Sequence, residues 1–157
     1  MKTKLSLGSK VTCLTALLTL VALIVYAINV NGSGYFRKAS VYGLVVMTLL
    51  AVLCYVGAIL LKQVSIKAVP EVCVDLVTGL MQIAAPVLVA VSLVNLIAGR
   101  VEGLGFIYFS NPDVILEVQT PANMSSAHGA IASMVCFGVA MLCGMIAAFF
   151  RLGRKAE

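Results

Sequence analysis

The chain has 157 residues, of which 62% are hydrophobic and only 11% charged, and it carries a formal net charge of +5. Soluble domains carry about 25% charged residues, so a soluble surface is excluded: there are too few polar groups to coat one. The basic balance is not a nucleic-acid footprint either, because the Lys and Arg residues are shared out between segments in the manner of a membrane protein.

Four apolar runs, residues 11–30, 40–61, 76–98 and 129–150, each reach the length of about 20 residues that a helix needs to cross a bilayer. They predict one all-α membrane domain over 1–157, a four-transmembrane-helix bundle with a sizeable extracytoplasmic loop at 99–128. Ahead of the first run stand Lys2, Lys4 and Lys10, with Ser9 placed to cap the first helix. Val25-Tyr26-Ala27 resembles a signal-peptide cleavage site. The run is longer than the roughly 7–15 apolar residues of a cleaved signal, so it reads as a retained span.

The short connection 31–39 turns at Gly32-Ser33-Gly34 and places Tyr35 and Phe36 at headgroup level. A connection this short makes the first two helices antiparallel neighbours. The next connection, 62–75, is amphipathic, and Pro70-Glu71 marks the start of the third helix. Along that helix Asp75, Thr78, Gly79, Gln82 and Pro86 fall on one face, a polar stripe that should be turned towards protein. Pro86 removes a backbone hydrogen bond in mid-span. Asp75 has two readings: a cation or proton site, or a carboxylate near the helix start paired with Lys62 or Lys67. Its position at the end of the span, where charge is tolerated, favours the second.

In the loop, the runs 103–109 and 114–120 are rich in β-formers and flank Ser110-Asn111-Pro112-Asp113. That pattern predicts a small extracytoplasmic β-hairpin. A lone hairpin is marginal in water, so it should pack over the bundle end. Phe106, Tyr108, Phe109 and Glu117 make it a surface suited to gripping another protein. Thr120-Pro121 then reads as an N-cap followed by proline in the first turn, which starts the fourth helix well before its apolar run. Gly129, Ser133, Ala140, Gly144 and Ala148 allow a helix to approach that one closely, either within this bundle or from a second chain at Gly144.

Residues able to carry chemistry are scattered. His128 is the single histidine, and Cys13, Cys54, Cys73, Cys136 and Cys143 lie in or beside the spans without a CxxC, as small packing residues do. Glu102 and Glu117 have no spacing that acid–base catalysis would require. No catalytic residue, cofactor site or metal ligand is predicted, and the chain reads as a non-enzyme. Asn31-Gly32-Ser33 and Asn123-Met124-Ser125 match the glycosylation sequon.

Eight of the 11 Lys and Arg residues, at 2, 4, 10, 62, 67, 151, 154 and 155, fall on one side of four spans, leaving Arg37, Lys38 and Arg100 on the other. The positive-inside rule then places both termini in the cytoplasm of a cell-membrane protein. The expected function is an accessory or scaffold subunit in the lipid bilayer. It would bind a larger membrane or extracytoplasmic protein, or form a homo-oligomer, through its outer loop and helix faces. The alternative is a small oligomeric transporter or channel using Asp75, Thr78 and Gln82.

Overall fold

The computed structural model describes residues 6–63 and 70–153. Lys2, Lys4, Lys67, Arg154 and Lys155, and the middle of the amphipathic connection, lie outside the described residues. Six helices follow in chain order: α1 (Leu7–Asn31), α2 (Tyr42–Gln63), α3 (Glu71–Ala98), α4 (Val101–Phe109), α5 (Pro112–Val118) and α6 (Pro121–Ala148). Four helical stretches are long and apolar enough to cross a membrane: α1, α2, α6, and α3 running on into α4.

The helix starts follow from capping chemistry. Pro70 directly precedes α3, and the Thr120 hydroxyl accepts the Asn123 backbone N–H at 3.2 Å with Pro121 in the first turn, both as the sequence predicts. At α1 the cap is Ser6 and not Ser9. The Ser6 hydroxyl accepts the Ser9 N–H at 3.2 Å, and Ser9 is itself buried in the first turn.

Helix α1 packs on α2 and α6, and α3 packs on the same two, so the four long helices close a ring of antiparallel neighbours. The inward positions recur every four and three residues. In α1 they include Thr12, Thr15, Thr19, Ala22, Tyr26 and Asn29; in α2, Leu44, Thr48, Ala51, Tyr55 and Ala58. In α3 they are Thr78, Gln82, Ala85, Val89, Ser92 and Leu96; in α6, Ser126, Ala130, Ser133, Phe137, Ala140, Gly144 and Ala147. Alternating steps of four and three are a seven-residue repeat, the seam of left-handed helix packing. Most seam residues are small or hydroxylated, while Leu17, Leu53, Leu60, Ile83 and Leu142 point outward. Small seams let helix backbones approach closely.

A buried hydroxyl in an apolar bundle needs an acceptor. Here most donate to the carbonyl one turn back: Thr12 to Gly8 at 2.9 Å, Thr19 to Thr15 at 2.9 Å, Thr48 to Leu44 at 2.7 Å and Ser133 to Gly129 at 2.7 Å. Thr48 and Ser92 hydroxyls also meet at 3.0 Å, joining α2 to α3.

The expected β-hairpin is a correction: among the described residues there is no strand, and its two runs are α4 and α5. A two-stranded ribbon leaves outer-edge backbone groups to find partners, whereas a helix satisfies its own. Asn111-Pro112-Asp113 serves as a helix start instead of a hairpin turn. Asn111 occupies the cap position, Pro112 the first helical turn, and Asp113 places a carboxylate at the positive end of the α5 dipole.

Candidate functional site

The best-organised polar structure lies at the end of the bundle that carries α4 and α5. Arg100, in the two-residue turn between α3 and α4, is 1% exposed and is the one buried charged side chain among the described residues. Its Nη2 donates to the Ala39 carbonyl at 2.6 Å, and its guanidinium lies 4.6 Å from the Phe36 ring centre and 5.9 Å from that of Tyr26. Cation–π attraction of this kind strengthens when the cation is desolvated. Arg100 thus pins the α1–α2 loop to the α3–α4 corner.

That loop is locked from a second side. The Phe36 N–H donates to the Ser126 hydroxyl at 3.1 Å, the Val41 N–H to the Tyr26 hydroxyl at 2.6 Å, and the Asn29 amide to the Ser126 carbonyl at 2.8 Å. Gly34 has φ +101°, and a side chain there would also overlap the Ala122 carbonyl, so only glycine fits. Phe36, Ile107, Ala127 and Ala130 form a small core beneath α4, with Leu104, Tyr108 and Val118 packed against it. Gln119 Nε2 donates to the Ile107 carbonyl at 3.1 Å and Asn123 Nδ2 to the Val118 carbonyl at 2.8 Å, which ties the end of α5 to α4 and α6.

On this fixed base the residues expected at a docking surface separate into two groups. Tyr108 is half-buried in the small core, and Phe106 leans on Tyr35 with ring centres 6.0 Å apart. Phe109 at 87% and Leu116 at 84% stand free, Glu117 is exposed, and α5 buries no residue. Gly144 does not belong with them. It is buried inside the chain's own bundle, where a methyl group would overlap the Tyr55 hydroxyl and press on the Pro86 ring.

The polar stripe of α3 is divided at the opposite end. Thr78, Gln82 and Pro86 are buried against protein, as expected, but Gly79 is only half-buried and faces open space. Asp75 is exposed and ion-paired to Lys62, with Arg151 Nη2 at 3.8 Å. Thr78 bonds its own backbone at Val74, 2.8 Å away, and Gln82 Nε2 lies 3.5 Å from the Thr12 hydroxyl and 3.4 Å from the Phe150 carbonyl. Beyond Gln82 the axis is filled by Tyr55, Ala85, Val89, Phe137 and Leu96, all 0 to 1% exposed. Among the described residues no three His, Cys, Asp or Glu side chains come together, His128 is exposed, and the five cysteines are free. Of the two sequon asparagines, Asn31 is exposed and Asn123 half-buried in the α5–α6 tie.

Sequence reasoning missed Arg100, Tyr26 and Asn29. Arg100 entered the topology argument only as a surface charge. The available signal was a lone arginine directly after Gly99 at the end of an apolar run, with aromatic residues in both flanking connections. No protein-family description, no curated protein and no solved structure matches this chain.

Proposed function

We propose that this protein is a non-enzymatic accessory or scaffold subunit of the cell membrane, with both termini in the cytoplasm, that binds a larger protein through the α4–α5 cap. The observation that carries the reading is the contrast within the cap. Arg100, Phe36 and Ile107 hold it in place, while Phe109 and Leu116 are left uncovered on it. Rigid aromatic and aliphatic anchors on a fixed base are what a hot spot requires, because little ordering entropy is lost on docking. The orientation rests on the distribution of Lys and Arg.

The transporter reading has less support. Its one carboxylate, Asp75, is exposed and ion-paired at the bundle end, and beyond Gln82 the buried hydroxyls bond to helix carbonyls or to each other between packed Ala85, Val89, Phe137 and Leu96. The deciding experiment is a mild-detergent pull-down at native expression level, comparing wild type with the Phe109→Ser/Leu116→Ser double variant. A stoichiometric partner should be recovered with wild type and fall roughly tenfold or more in the variant. A partner-free monomer, or recovery indifferent to the variant, contradicts the reading.

A further inference from the structure

The α4–α5 cap differs in charge from the rest of the chain. The chain carries +5 overall, but residues 101–119 hold three carboxylates, Glu102, Asp113 and Glu117, and no lysine, arginine or histidine. All three are exposed, and among the described residues none is ion-paired. Folding accounts for two of them. Glu102 lies in the first turn of α4 and Asp113 in the first turn of α5, where a carboxylate meets the positive end of the helix dipole. It does not account for Glu117. That residue stands in the last turn of α5, where the dipole disfavours a negative charge and no basic residue offsets it. Its neighbour Leu116 is 84% exposed. The backbone beneath both is fixed, because the Asn123 amide donates to the Val118 carbonyl at 2.8 Å and the Gln119 N–H to the Ile115 carbonyl at 2.9 Å.

The pairing of an apolar anchor with an unbalanced carboxylate restricts what covers this face. Hydrocarbon over Leu116 would draw the adjacent Glu117 carboxylate towards the bilayer core, where charge is costly. A second copy docked symmetrically would set the carboxylates of two caps against each other, and like charges repel across an interface. A protein segment that carries a cation beside an apolar pocket satisfies both residues at once.

We propose that the protein docked on the cap presents a lysine or arginine to Glu117, beside the pocket that takes Leu116. This rests on the docking role proposed above and adds the chemistry of the partner. The surplus of carboxylates on the cap steers a basic segment towards it, and Glu117 fixes the register of that segment against Leu116.

The test uses the full-length protein recovered from native membranes together with its partner. Glu117→Gln should lower partner recovery roughly three- to tenfold at low salt, the worth of one close charge pair. The loss should vanish near 1 M salt, where the screening length is about 3 Å. Glu117→Lys should bind more weakly still. Asp113→Asn should change recovery less than about twofold, and Leu116→Ser should weaken it at both salt concentrations. Unfolding does not explain a loss in Glu117→Gln, because that variant removes a charge opposed to the α5 dipole. A water-soluble carbodiimide, which condenses a carboxylate with an amine in contact, then identifies what lies on Glu117. Coupling to a lysine of the partner supports the proposal, and exchanging that lysine for glutamate should abolish binding until Glu117→Lys restores it. An arginine there stays uncoupled and is judged by the variants and their salt dependence. Coupling to phosphatidylethanolamine, or to the exposed Lys38 of a second copy, names another occupant and overturns the proposal. So does a partner whose recovery is indifferent to Glu117→Gln, with the docking role left standing. Recovery of no partner at all would overturn the docking role itself, and this inference with it.

Discussion

Gly144 is where the geometry of a single residue carries most consequence. It removes a side chain where the Tyr55 hydroxyl and the Pro86 ring converge, and that hydroxyl has no hydrogen-bond partner. Gly144→Ala should cost about 1–3 kcal/mol, the usual penalty of overpacking. Tyr55→Phe, which deletes an unpaired polar atom, should change stability by less than about 1 kcal/mol. In the Tyr55→Phe background most of the Gly144→Ala loss should disappear, because the two residues are in direct contact. Denaturant unfolding in detergent measures all four corners of this cycle. An equal loss in both backgrounds would mean that the hydroxyl contact is not the cause. The sequence placed Gly144 in a small-residue series but left open which neighbour used the space. That neighbour is a tyrosine 89 positions away in the chain, which no local spacing reveals.

At the scale of the elements, the four long helices were legible because length and apolarity suffice to find them. Which side of each helix faces inward was not, except along the polar stripe of α3 and the small-residue series of α6, whose Ser133, Ala140 and Gly144 are buried. In a soluble helix the buried side is the apolar one, but here the buried side is the smaller and more hydroxylated one: Thr, Ser, Ala and Gly inward, Leu, Ile and Val outward. The usual rule that the more apolar side is buried therefore points the wrong way, while the seven-residue spacing of small residues records the inward side. The mistaken hairpin has a related origin. Runs rich in Ile, Val, Tyr and Phe favour strands only when a sheet is present to receive them, and α4 and α5 have none. The seam makes an inverted mutational pattern. Ala51→Leu, at a fully buried seam position, should cost about 1–3 kcal/mol. Leu53→Ala, at an outward position, should stay within about 0.5 kcal/mol in detergent. Thermal unfolding of the two variants compares them directly, and a larger loss at Leu53 than at Ala51 would refute the seam.

For the whole molecule, the two ends of the bundle differ in kind. One gathers Lys62, Asp75 and Arg151 in exposed ion pairs. The other buries its arginine and ties two connections together. Large apolar side chains stand uncovered at both, Phe149 at the first and Phe109 and Leu116 at the second. Charge distribution made this asymmetry visible in the sequence. The burial of Arg100 was invisible there, because it depends on Ala39 and Phe36 arriving from a separate loop. The measurement that tests the proposed role most directly uses Asp113→Cys, an exposed cap position beside the anchors Phe109 and Leu116, in a cysteine-free background, in intact cells at native expression. A membrane-impermeant, thiol-directed photo-crosslinker is added from outside and then activated. The expected result is efficient labelling of position 113 and, on irradiation, one discrete heavier species containing a second protein. Absence of labelling from outside would contradict the orientation, and a labelled protein that forms no discrete adduct would contradict docking through the cap.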